Sequence, residues 1–155
     1  MEKLKICFDM DGTIANLYKV ANWLSKLRAE DSSPYLEAEP ICNMEELTRI
    51  CEMLQYLGHK ITIISWCSKN GTAEYNTAVR RAKREWLRKN FPIKFDEVHI
   101  VKYGTPKYRF MDEDSVLIDD EFNNRFQCEL HGAMSVDPTT HDILQFLRGL
   151  LPDEI

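Results

Sequence analysis

The chain has 155 residues, 44% of them hydrophobic, and its 20 Lys and Arg against 25 Asp and Glu give a formal net charge of −5. A chain of this size buries roughly 68–70% of the surface it exposes when unfolded, so one domain forms a core without disulfides or a structural metal. Composition excludes disordered and collagen-like classes, the apolar runs fall far short of the roughly 18–20 residues of a membrane span, and the acidic balance disfavours nucleic acid as a partner.

Leu4-Lys5-Ile6-Cys7-Phe8-Asp9 is short, apolar and followed by a Gly-containing turn, which predicts a buried strand opening onto a loop. From Ile14 to Ala29, Leu17, Val20, Ala21, Leu24 and Leu27 recur at three- and four-residue steps and predict an amphipathic helix, stopped by Asp31-Ser32-Ser33-Pro34. Tyr35 to Cys42 carries Pro40 and little periodicity. Met44 to Leu57 is helical again, with Asn43 as its cap and Gly58 as its stop, and a strand follows over Lys60–Ser65.

The longest helical pattern runs from Thr72 to Asn90 and ends before Pro92, with Val79, Ala82, Trp86 and Leu87 on its apolar side. Its basic run Arg80-Arg81-Ala82-Lys83-Arg84 is interspersed with acids and reads as a solvated face. Three more strands, Glu97–Val101, Ser115–Ile118 and Ala133–Val136, and a last helix over about Thr140–Leu150 complete the chain. Strands alternating with helices in long connections predict a three-layer, Rossmann-like α/β fold: a parallel sheet with helices on both faces, in a single domain over residues 1–155. Five cysteines, an odd number without C-x-x-C spacing, point to a reducing, cytoplasmic compartment. The acids at Asp9 and Asp11 interrupt any secretion leader at the N-terminus.

In such sheets the ligand crevice lies beyond the carboxyl ends of the strands. The residues expected there are Asp9, Asp11, Ser65, Asp119 and Asp120. Carboxylates converging on one crevice repel one another unless a cation sits among them, and hard oxygen donors of this kind suit Mg2+. Because Mg2+ commonly takes a phosphate oxygen as a further ligand, the same crevice suits phosphoryl chemistry, given a positive side chain nearby.

Phe8-Asp9-Met10-Asp11-Gly12-Thr13 resembles the first motif, D-x-D-G-T, of the haloacid dehalogenase (HAD)-like phosphatase superfamily. Ser65 at the end of its strand, Lys107 in Gly104-Thr105-Pro106-Lys107, and Leu117-Ile118-Asp119-Asp120 resemble the later motifs in the same order. The I-D-D ending, the short insertion and the compact size look most like the 5′(3′)-deoxyribonucleotidase-like group.

The resemblance implies Asp9 as nucleophile and Asp11 as general acid and base. It implies a phosphate cradle of Gly12, Thr13, Ser65 and a lysine, with Lys107 preferred to Lys102 for its loop context. The implied Mg2+ site comprises Asp9, Asp11 through its backbone carbonyl, and the acidic pair, with Asp120 direct and Asp119 through water or to the lysine, or the reverse. A small helical cap over about 17–42 selects the leaving group, with Tyr18, Trp23 and Trp66 as candidate substrate contacts and Tyr35 as a further stacking candidate.

The expected substrate is a small phosphorylated molecule, above all a (deoxy)nucleoside monophosphate. A sugar phosphate or a nucleic-acid 3′-phosphate would use the same chemistry, and a non-catalytic Mg2+- and nucleotide-binding regulator is the reading from another class. A two-component receiver domain also combines acids, a hydroxyl and a lysine. Its motif order differs, because here the acid pair closes the series.

Overall fold

Apolar runs buried on both faces belong in the middle of a parallel sheet, whose strands need long crossovers. The computed structural model describes residues 2–153 and has strands β1 (Lys5–Phe8), β2 (Lys60–Trp66), β3 (Glu97–Val101), β4 (Ser115–Ile118) and β5 (Met134–Val136). They form one parallel sheet in the order β3-β2-β1-β4-β5. With helices α1 (Trp23–Arg28), α2 (Ser33–Glu37), α3 (Met44–Tyr56), α4 (Ala73–Asn90), α5 (Phe122–Leu130) and α6 (Ile143–Arg148), the architecture is the expected Rossmann-like α/β fold.

Successive strand side chains point to opposite faces, and this alternation sorts the core. Ile6 and Phe8 of β1, Ile61 and Ile63 of β2, and Val116 and Ile118 of β4 pack in one cluster with Leu47 and Leu54 of α3, Trp86 of α4 and Leu147 of α6. Cys7, Ile64 and Leu117 face the other way, against Cys128 of α5 and Tyr108 and Phe110 of the connection before β4. Phe8 is fully buried and meets Phe91 edge-to-face at 5.7 Å. Truncating it to Ala costs about 3–5 kcal/mol. The end signals of α3 act as read: Asn43 accepts from the Glu46 amide at 3.1 Å, and Gly58 takes a φ of +97°.

Two stretches differ from the sequence reading. The segment expected as a helix over 14–29 begins as a neck: Asn16 N–H donates to the Glu39 carbonyl and Ile41 N–H to the Ile14 carbonyl. Backbone groups used in that pairing cannot start a helix, so only a 3-10 turn, Leu17–Lys19, and then α1 form, separated by Asn22 at φ 58°. Pro34, read as a stop, sits in the first turn of α2, where its missing N–H costs nothing. The second difference is α5, for which the periodicity gives no signal. Its pattern is inverted: Asn124 and Cys128 are buried while Phe122, Phe126 and Leu130 are exposed. Among the described residues, no helix is long and apolar enough to cross a membrane.

Candidate active site

The strand alternation continues into the residues that close each strand. Asp9 follows the parity of Cys7, and Asp119 that of Leu117, so both face the side from which the 3-10 turn Lys107–Phe110 approaches. The buried Lys107 ammonium donates to Asp9 Oδ1 and to Asp119 Oδ2, each at 2.8 Å. Burial opposes charge on Lys107, but the two carboxylates outweigh it and hold its pKa above the ordinary lysine value. Asp119 is held further by the Glu121 amide at 2.9 Å and the Asn124 side-chain amide at 3.1 Å. Lys102, the alternative lysine, is exposed.

Ser65 has the parity of Ile61 and Ile63 and faces α4 instead. There it meets Lys83, which the sequence reading assigned to a solvated face. That assignment is corrected: Lys83 is 1% exposed, and its ammonium donates to Asp11 Oδ2, Ser65 Oγ and the Trp66 carbonyl, all at 2.7 Å. Its position carried a signal. Lys83 lies four residues after Val79 and three before Trp86, within the buried stripe, whereas Arg81, Arg84 and Arg88 are exposed as expected. Burial raises the Asp11 pKa, against the opposing pull of Lys83.

Thr13 donates to Asp9 Oδ2 at 3.1 Å and accepts from the Asp120 amide at 3.2 Å, tying the first motif to the acidic pair. Gly12, at φ +80°, is required by proximity as well as by conformation: a Cβ there would meet Asp120 Oδ2 at 2.3 Å. One oxygen from each of Asp9, Asp119 and Asp120 falls within 4.8 Å of the others, whereas the Asp11 carboxylate is paired with Lys83 outside this group.

The donor set suits a small divalent cation on two counts. Ligand oxygens at the roughly 2.0–2.1 Å of Mg2+ stand at most about 4.2 Å apart, so small side-chain movements close the set around one ion. Three carboxylates against the Lys107 ammonium also leave two negative charges, which one such ion balances. In its absence burial, and then the charge of Asp9, raise the pKa of both Asp119 and Asp120.

From this cluster a cavity of about 570 Å³ extends beneath residues 17–35 and along the loop after β2. Tyr18 and Trp23 stand edge-to-face at 5.1 Å on one side of it, and Trp66 and Tyr103 pair at 4.8 Å on another. The Trp66 indole N–H donates to the Thr105 carbonyl at 2.8 Å, which fixes the ring 5.5 Å from the Lys107 ammonium. Tyr103 is a pocket residue that the sequence reading did not include.

No protein-family sequence model and no curated protein sequence matches the chain. Solved structures do. A HAD family enzyme from Bacteroides thetaiotaomicron matches with a TM-score of 0.57 at 12% identity, over 96% of this chain and 100% of its own. The fold is that of HAD-family enzymes. A predicted HAD-like family hydrolase from Porphyromonas gingivalis gives 0.54 at 16% identity, over 99% of this chain and 100% of its own. The D,D-heptose 1,7-bisphosphate phosphatase from Burkholderia thailandensis gives 0.54 at 13% identity, over 85% of this chain and 75% of its own.

Proposed function

We propose that the protein is a Mg2+-dependent phosphomonoesterase that works through an aspartyl-phosphate on Asp9 and prefers (deoxy)nucleoside monophosphates. The observation that carries this reading is the Lys107 ammonium shared between Asp9 and Asp119 beside Asp120, at the carboxyl ends of adjacent strands. A nucleophile in such a position is buried, oriented and next to a cation. The HAD fold, shared with a sugar bisphosphate phosphatase, supports the same class of reaction.

Asp9, Asp119 and Asp120, with the Asp11 backbone carbonyl, are the residues to hold Mg2+. Bound there, the ion offsets the negative charge that would otherwise repel a phosphate dianion. Asp9 attacks phosphorus as the bond to the leaving oxygen breaks, and the Asp11 carboxyl passes its proton to that oxygen, releasing the alcohol. Asp11, now a carboxylate, takes a proton from the water that attacks the phosphoenzyme. The phosphorus bond to Asp9 then breaks, giving inorganic phosphate and free Asp9. Lys107 counters charge on Asp9 and on the transferring group, while Thr13 holds Asp9 in line.

The aromatic pairs Tyr18–Trp23 and Trp66–Tyr103 favour a planar leaving group, because a base stacks on such faces at about 1–3 kcal/mol. Five free cysteines suit a reducing, cytoplasmic compartment. The test is phosphate release from nucleoside monophosphates, sugar phosphates and 3′-phosphorylated oligonucleotides, with Mg2+ or chelator and with Asp9→Asn as control. Turnover that needs Asp9 and Mg2+ and is fastest on mononucleotides is expected. Tight nucleotide binding without phosphate release would replace the enzyme with a regulator, and equal rates on sugar phosphates would remove the nucleotide preference.

A further inference from the structure

The phosphatase reading assigns no task to Lys83. We propose that Lys83 is a positioning residue that holds Asp11 in place to protonate the leaving group and turns the Ser65 hydroxyl into a directed donor. This inference rests on the proposed chemistry and goes beyond it.

A lysine ammonium donates three hydrogen bonds and accepts none. The three partners of Lys83 at 2.7 Å therefore use all of its protons, leaving none for a phosphate oxygen. Ser65 must use a lone pair toward Lys83, so its own proton is free to point elsewhere. Among the described residues, that hydroxyl donates to no protein acceptor. The Asp11 carboxylate, for its part, is drawn to the α4 side, away from the three carboxylates grouped near Lys107. Without Lys83, the Asp11 carboxylate would lose the partner that orients it, and the group needed for proton transfer would no longer be held in line.

The same lysine is built into the attachment of the cap. The Tyr35 ring of α2 lies 4.8 Å from the ammonium and covers it. Around it α4 anchors the cap segment: Trp86 Nε1–H donates to the Ala38 carbonyl at 2.7 Å, and the Tyr75 hydroxyl to the Asp31 carbonyl at 2.8 Å. The helix that fixes the cap over the pocket therefore also fixes Asp11. Alignment of this kind matters, because a misplacement of about 1 Å can cost 10²-fold in rate.

The test compares two substrates through kcat/KM, which reports steps up to departure of the leaving group. An alkyl phosphate leaves as a basic alkoxide and needs the proton of Asp11, whereas para-nitrophenyl phosphate leaves as a stable phenolate and does not. Lys83→Met is expected to lose about 10²-fold more on the alkyl phosphate than on para-nitrophenyl phosphate, whose smaller loss reports the Ser65 hydroxyl that is no longer directed. Asp11→Asn should show the same selectivity, and Lys83→Met added to it should change the ratio little, since the two act as one unit. If Lys83→Met does not fold, Lys83→Gln, which keeps two donors in the same hole, carries the comparison.

Equal losses on both substrates, or full additivity with Asp11→Asn, would overturn the positioning role and leave Lys83 a structural residue. Absence of any Asp9-dependent turnover by the unsubstituted protein would instead overturn the phosphatase reading, and this inference with it.

Discussion

Lys107 and Lys83 are both buried lysines at the carboxyl ends of the strands, yet they serve opposite sides of one sheet. Lys107 arrives from the connection before β4 and binds the two carboxylates of Asp9 and Asp119. Lys83 arrives from α4 on the other face and binds one carboxylate, one hydroxyl and one carbonyl. The pleat decides where Asp9, Asp119 and Ser65 point, because Asp9 and Asp119 continue the parity of Cys7 and Leu117 while Ser65 continues that of Ile63. Asp11 lies beyond β1, in the Gly12 turn, and is paired across by Lys83. The first pairing leaves its cluster negative and ready for a cation. The second pairs one acid with one ammonium and needs none.

Substitutions that act on one side alone test this division. The largest effect belongs to Asp9→Asn, which removes the proposed nucleophile and should abolish phosphate release in a steady-state assay while the protein stays folded by circular dichroism. Lys107→Met comes next. It leaves Asp9 and Asp119 buried and unpaired, so a loss of about 3–5 kcal/mol in a urea titration is expected, with a fall of about 10³-fold in kcat.

Mg2+ should restore part of the stability lost in Lys107→Met but none of that lost in Lys83→Met, because Asp11 lies outside the three-carboxylate group. Equal rescue of the two variants by Mg2+ would break the comparison. A smaller effect is expected in the cavity, where Tyr103→Ala should raise KM for nucleoside monophosphates about tenfold, through lost stacking, and leave kcat nearly unchanged.

The smallest effect concerns pH. Burial and the charge of Asp9 raise the pKa of Asp119 and Asp120 in the metal-free protein, so protons occupy these carboxylates above the ordinary carboxylate range. Mg2+ must displace them. Its apparent affinity should therefore strengthen as pH rises from about 6 to about 8, with protons released on binding, as calorimetry in buffers of different ionisation enthalpy would measure. Affinity that falls or stays flat over that interval would mean that these carboxylates do not take the ion.

Much of this arrangement is legible in the chain. β1, β2 and β4 are largely apolar runs, and the chemistry-bearing residues stand directly after β1 and β4 and near the end of β2, at Ser65. The neck at 14–16 was not legible, because its hydrogen bonds go to residues 39–41, beyond the reach of any local pattern. Helix α5 escaped because its aromatic residues face outward, so the apolar stripe that marks a helix is inverted.

Lys83 escaped for a related reason. It stands among five other basic residues of α4, and charge alone reads them all as surface. Which of them is drawn inside depends on a carboxylate 72 residues earlier in the chain and a hydroxyl 18 residues earlier.

The sequence by itself determined the five strands, helices α3, α4 and α6, the acids at the strand ends and the Gly12 turn, since these follow from local hydrophobicity, periodicity and backbone freedom. Only the tertiary structure decided how the charges pair and which aromatic residues line the cavity. Burial makes an unpaired charge costly, and a lysine is held inside by partners that the folded sheet, and not the neighbouring sequence, brings within 2.7 Å.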